Sequence, residues 1–144
     1  MPLHTPYDPD NVFAKMLRGE VPAVKVFEDD FALAFMDIFP QVEGHTLVIP
    51  KGVEACNILD MPTEKIGAYM ERVQRIARAI ETALSPEGIV ITQFNGAAAG
   101  QTVFHLHFHI LPKYKGQSPK AHGSGAMVDA EALEPIAAQI RAAL

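Results

Sequence analysis

The sequence predicts an α+β domain built on a five-stranded, mainly antiparallel sheet. Three observations predict it. Short apolar runs at Ala23–Glu28, Phe31–Phe39, His45–Lys51, Ile89–Phe94 and Val103–Pro112 have strand length and are bounded by Gly, Pro, Asp or Asn. One long stretch, Thr63–Leu84, changes to a helical period. The helical segments are segregated from the strand runs rather than alternating with them, which argues against a doubly wound parallel sheet.

Each element has a local reason. Residues 1–9 hold three prolines and read as an extended arm. Asp10 or Asn11 can cap a short helix with Val12, Phe13, Met16 and Leu17 on its apolar face, and Gly19 suits its end. Asp29-Asp30 between the first two strands reads as a hairpin turn. In Thr63–Leu84 the stripe is Ile66, Tyr69, Met70, Val73, Ile76, Ala77, Ile80 and Leu84, with Thr63 as the expected cap and Ser85-Pro86-Glu87-Gly88 as the stop. "NGAAAGQ" is a small-residue loop. After Pro112 a polar, Gly-rich loop leads to a final helix from Asp129 to Leu144, with Leu133, Ile136, Ile140 and Leu144 apolar and Pro135 in its first turn or kinking it. No repeat or interdomain linker interrupts the chain. The organisation is an arm over 1–9, a domain over 10–114, and a loop and helix over 115–144 packing on that same domain.

The 144 residues suffice for one core, and 49% hydrophobic with 20% charged is ordinary for a soluble globular protein. A net charge of −5 argues against a nucleic-acid partner, which would need a basic face. The single cysteine, Cys56, excludes an internal disulfide and a Cys-rich zinc site. No apolar run reaches a membrane span and the N-terminus does not read as a secretory signal, so a cytoplasmic setting without a membrane partner is expected.

Chemistry concentrates in "HLHFHILP". Three of the six histidines fall at alternate positions, His105, His107 and His109. On a strand they share one face, spaced about 6.5–7 Å, with Leu106, Phe108 and Ile110 on the other. Three roles compete: a metal site, acid–base and nucleophilic catalysis around a phosphate, and a plain polar face. Three imidazoles in line on one strand converge poorly on a tetrahedral ion. The preceding loop favours the phosphate reading. Gly96 and Gly100 permit tight turns, Gln101 and Thr102 offer side-chain donors, and backbone N–H groups there can form an anion nest.

With these residues in view, the sequence resembles the histidine triad (HIT) family of nucleotide hydrolases and transferases. "FAKMLRGEVPAVKVFEDDFALAFMDIFP", "GHTLVIPK" and "NGAAAGQTVFHLHFHILPK" look like its consecutive blocks, in order, covering roughly residues 12–113. The resemblance implies a HIT-like fold, a five-stranded sheet with two main helices plus the C-terminal one, usually as a homodimer. It implies attack on the α-phosphorus of a purine nucleotide through a covalent nucleotidyl-histidine. His107 matches the nucleophile, His109 the group at the phosphate oxygen or leaving group, and His105 a supporting position. His45 matches a histidine joining them from a neighbouring strand. Asp37 matches the residue binding the ribose hydroxyls; on residues alone a strand-end turn Asp is the better reading of it. Phe13, Val21, Phe35 and Ile38 match apolar positions around the base. Gln101 and Thr102 match residues beside the α-phosphate, and Asn95 the ribose-phosphate side.

Departures refine this. No Cys-x-x-Cys accompanies "DNVFAKML", so no structural zinc, other metal or cofactor is expected. His109 stands where the nucleotidylyltransferase branch has Gln, which favours hydrolysis. The tail from Lys115 differs from the Trp-containing tail of the phosphoramidase branch. AMP phosphoramidate and dinucleoside polyphosphates are therefore both candidate substrates. A nucleotide-binding regulatory or scaffold protein with incidental turnover is the alternative.

Overall fold

In the computed structural model, residues 3–117 and 126–144 are described. Residues 1–2 of the expected arm and 118–125 of the expected Gly-rich loop lie outside them. The described elements run α1 (Val12–Leu17), β1 (Lys25–Glu28), β2 (Ala32–Met36), β3 (Thr46–Pro50), α2 (Thr63–Leu84), β4 (Gly88–Thr92), β5 (Phe108–Lys113) and α3 (Ala130–Ala142). Among the described residues the five strands form one sheet in the order β1-β2-β3-β5-β4, every neighbouring pair antiparallel.

β2 and β3 are buried at every position, so they read as continuous apolar runs rather than as alternation. Ala32, Ala34, Met36 and Val48 face α2 and α3. Leu33, Phe35, Leu47 and Ile49 face the other way, onto Phe13 and Met16 of α1. The apolar stripe of α2 buries Tyr69, Val73, Ile76 and Ile80 against the sheet. Burial of each large side chain contributes about 1.5–3 kcal/mol. The Tyr69 hydroxyl donates to the Val48 carbonyl at 2.7 Å and fixes the crossing of α2 over β3. α3 packs on α2 and β1 through Leu133, Ala137 and Ile140.

The hairpin turn at Asp29 forms as expected. Its Oδ1 accepts from Phe31 and Ala32 N–H, and its Oδ2 pairs with Arg72 of α2 at 2.9 Å. Asn11 caps α1, accepting from Ala14 N–H at 2.9 Å. Three expectations need correction. Pro62, not Thr63, occupies the cap position of α2, and it makes no side-chain cap bond. Pro135 is the sixth residue of α3, which begins at Ala130, so it lies in the second turn and the first-turn alternative does not hold. The last strand begins at Phe108, not Val103: residues 103–105 bend, and Leu106 N–H is drawn to the Ala55 carbonyl at 2.8 Å. Among the described residues no helix is long and apolar enough to cross a membrane.

Candidate active site

The rings of His107 and His109 lie 5.0 Å apart, centre to centre. Leu106 and Ile110 are buried in the core beneath α2, and Phe108 packs against it, so the imidazoles are turned to the opposite face, as the alternation predicts. β3 pairs with β5, Leu47 opposite His109, and this register brings His45 alongside. His45, His105, His107 and His109 are all buried.

The hydrogen bonds assign the imidazole protons. Gln41 N–H donates to His45 Nδ1 at 3.1 Å, so the His45 proton is on Nε2. That Nε2–H donates to His109 Nδ1 at 2.9 Å, which puts the His109 proton on Nε2. His107 Nδ1–H donates to the His105 carbonyl at 2.6 Å, so His107 carries its lone pair on Nε2. The group therefore offers a nitrogen lone pair and, on the next imidazole, an N–H donor.

A cavity of about 360 Å³ opens beside these rings. Its walls include Phe13, Phe35, Asp37, Ile38, Thr102, His107 and His109, all expected at the site, together with Val12, Met16, Met36, Phe39, Leu47 and Val103. Phe13 stands edge-on to His107 at 5.0 Å. A larger groove, about 510 Å³, runs along α2 beside the C-terminus, but it is lined by Glu71, Arg75, Arg78 and Leu144 and contains no histidine. Asp37 combines both readings of it. Its Oδ1 accepts from Phe39 N–H at 2.8 Å as a turn residue, while Oδ2 lies 3.5 Å from His45 Nε2.

Three expected residues sit elsewhere. Gln101 is buried and spends its amide on the loop: Nε2 donates to the Cys56 and Val103 carbonyls at 2.6 and 3.1 Å, and Oε1 accepts from Gly96 N–H at 2.8 Å. Asn95 Oδ1 accepts from Ile58 N–H and Gln93 Nε2. Val21 packs behind the cavity against the cluster of Phe13, Leu33 and Phe35. The expected anion nest is also not formed by the glycines. A 3₁₀ turn at Ala97–Ala99 consumes the N–H groups of Ala99, Gly100 and Gln101 within the loop, and Gly96 N–H goes to Gln101. Tyr7 and Phe94 were missed. Tyr7 lies in a proline-rich arm without periodicity, yet its hydroxyl meets His105 Nδ1 at 2.8 Å. The Phe94 ring lies 5.5 Å from that of His109.

Among the described residues one group offers ligand atoms close enough for a metal ion: Asp37, His45 and His109, within 4.8 Å of one another. Sequence reasoning did not single it out, since its members are widely separated. An ion there would have to replace the proton shared by His45 and His109.

Burial, then the neighbouring His107, lowers the His105 pKa from its ordinary value of 6.5 to about 4. Between those values the unfolded chain binds a proton that the folded chain refuses, so stability falls as pH drops from 6.5 toward 4. The loss approaches about 3 kcal/mol at the acid end. Urea midpoints at pH 7 and 4.5 will show it, and the same comparison in His105→Gln will lack that component.

The HIT domain model matches residues 18–116. The chain is 42% identical over 116 residues to Protein hit of Bacillus subtilis, covering 81% of this chain and 77% of that one. It is 39% identical over 104 residues to Adenylylsulfatase HINT3 of Arabidopsis thaliana, covering 72% and 52%. The crystal structure of a Hit-like protein from Bartonella henselae superposes with a TM-score of 0.89 at 48% identity, over 96% of this chain and 98% of that one. The antiparallel five-stranded sheet, the clustered histidines and these matches together lead to one statement: the chain belongs to the HIT domain family.

Proposed function

We propose that this protein is a nucleotide hydrolase that attacks the α-phosphorus of a purine nucleotide with His107. The observation that carries this reading is the 2.6 Å bond from His107 Nδ1–H to the His105 carbonyl, which leaves the lone pair on Nε2 of a cavity-lining imidazole. The Nε2 lone pair forms a bond to phosphorus while the bond to the leaving group breaks. A proton taken up by the His45–His109 pair passes through His109 Nε2–H to the leaving group, so that His109 is neutral once the leaving group has departed. His107 then bears the nucleotidyl group and a positive charge, which the His105 carbonyl stabilises. In the second step a water molecule attacks phosphorus, giving its proton to His109. The P–N bond breaks, and the nucleoside monophosphate leaves.

The walls support the nucleoside end. Phe13, Phe35, Ile38 and Phe39 give flat and branched apolar surface for a base, and the Asp37 carboxylate can accept from both ribose hydroxyls. Thr102, exposed at the cavity, remains the candidate donor to the phosphate; Gln101 acts by bracing the loop behind it. Adenosine phosphoramidate, diadenosine triphosphate and adenylyl sulfate are the substrates to compare, the last because the Arabidopsis relative is named an adenylylsulfatase. We further propose a cytoplasmic homodimer. The edge strand β4 exposes Val90 and Ile91, which supports a partner there, and the lone Cys56 is a buried free thiol.

Asp37→Asn tests the ribose contact. It is expected to raise KM for adenosine substrates about tenfold, and to remove discrimination against 2′-deoxyadenosine substrates, with a smaller effect on kcat. Wild-type KM and unchanged ribose discrimination in this variant, measured by steady-state kinetics, would remove Asp37 from the site.

A further inference from the structure

The N-terminal arm is clipped to the framework behind the histidines. The Leu3 carbonyl accepts from Asn57 Nδ2 at 3.2 Å, and the Thr5 carbonyl from Cys56 Sγ at 3.5 Å. His4 lies 3.5 Å from Asp60. The path ends with Tyr7 against His105, hydroxyl to Nδ1 at 2.8 Å and rings 5.7 Å apart. Asn11, four residues on, caps α1 and donates its Nδ2–H to the Asp8 carbonyl at 2.8 Å, which ties the end of the arm to the helix.

This contact has a chemical direction. Burial raises the Tyr7 phenol above its ordinary value of 10.0, while His105 is pushed down to about 4. The phenol therefore keeps its proton and donates it, and His105 Nδ1 accepts. The His105 proton then resides on Nε2 and the ring stays neutral. His105 is also the residue whose carbonyl takes His107 Nδ1–H. A charged His105 would repel the positive charge that His107 acquires on attack, and a rotated one would move that carbonyl.

We propose that Tyr7 is a positioning residue for the nucleophile: its hydroxyl holds His105 neutral and in place, and through the His105 carbonyl it sets the tautomer and orientation of His107. This rests on the reading of His107 as nucleophile. It extends the reaction machinery into an arm that touches neither the cavity nor the reacting atoms.

Tyr7→Phe keeps the ring and removes only the hydroxyl, so it isolates this role. The test pairs kinetics on adenosine phosphoramidate with long-range ¹H–¹⁵N spectra of histidine-labelled protein, which read tautomers without turnover. In wild type, His105 is expected as the single Nε2–H form, neutral down to about pH 5. In Tyr7→Phe it exchanges between tautomers and titrates higher. The expected kinetic result is a kcat about tenfold lower, KM within about twofold, and the acid limb of the kcat profile raised by about one pH unit. Tyr7→Ala should be no more than about threefold worse than Tyr7→Phe in kcat. Wild-type tautomer or wild-type kcat in Tyr7→Phe, or a Tyr7→Ala loss far exceeding that of Tyr7→Phe, would overturn the inference and leave the arm a packing element. Failure of the nucleophile reading would look different: wild type would form no adduct on His107, whatever the His105 spectrum showed.

Discussion

His107→Ala is expected to lower turnover of adenosine phosphoramidate by about 10⁴-fold or more while nucleotide still binds within about threefold of wild type. The size follows from chemistry. Removing the imidazole removes the only route through a covalent intermediate, and what survives is water attack assisted by the remaining site. Binding is spared because the nucleoside is held by Phe13, Phe35, Ile38 and Asp37, on α1 and around the end of β2. Rapid-quench kinetics and calorimetric AMP binding separate the two quantities. Full activity in this variant would sink the nucleophile assignment. His45→Ala is a useful contrast: it removes the donor to His109 Nδ1, so it disturbs proton delivery without removing the attacking nitrogen.

The largest expected effect on stability lies one residue before His45. Gly44 has φ +92°, where L side chains are strained, and an added Cβ would stand 2.5 Å from Leu84 Cδ1 and 3.0 Å from Pro112 Cγ. Pro112 is held within β5, and the half-buried Leu84 side chain at the end of α2 would have to turn aside. Gly44→Ala therefore combines backbone strain with overpacking and is expected to cost about 2–4 kcal/mol. Melting should fall by roughly 10 °C. Gly52→Ala is the control. It has a similar φ of +75° but nothing within 4 Å of the new Cβ, so only the backbone term remains, about 1 kcal/mol. Equal losses in the two variants would refute the packing argument at Gly44. Activity is expected to fall with stability in Gly44→Ala alone, because the Gly44 carbonyl accepts from Thr46 Oγ1 at 2.9 Å beside His45.

How much of this was legible in the sequence depended on the range of the forces involved. α2 could be bounded at Thr63 and Leu84 because a 22-residue stripe and its Ser85-Pro86 stop are local signals. The alternation in "HLHFHILP" gave the faces correctly, since Leu106 and Ile110 are core and the imidazoles turn away from it. It gave the strand boundary wrongly, because the bond from Leu106 N–H to Ala55 spans about fifty positions and leaves no mark near either residue. Gln101 and Asn95 carry donors and acceptors suited to a phosphate. Their use depends on whether the loop needs them first, and here it does: Cys56, Ile58 and Gly96 claim them. Asp37 and His45 acquired meaning only through the resemblance, since each alone is an ordinary strand-end polar residue. Tyr7 had neither period nor motif to mark it, and only the folded arm brings it to His105.

The central claim is that His107 Nε2 becomes bonded to the substrate's phosphorus. Mass spectrometry of protein quenched during turnover of adenosine phosphoramidate, and separately of diadenosine triphosphate and adenylyl sulfate, tests it directly when a chelator is present throughout. The predicted result is an AMP-mass adduct on the peptide carrying His107, absent in His107→Ala, with the fastest substrate identifying the natural leaving group's class. Turnover without any adduct, or an adduct confined to another residue, would contradict the claim. Tight AMP binding with no turnover of any of the three would identify the protein as a nucleotide binder rather than a hydrolase.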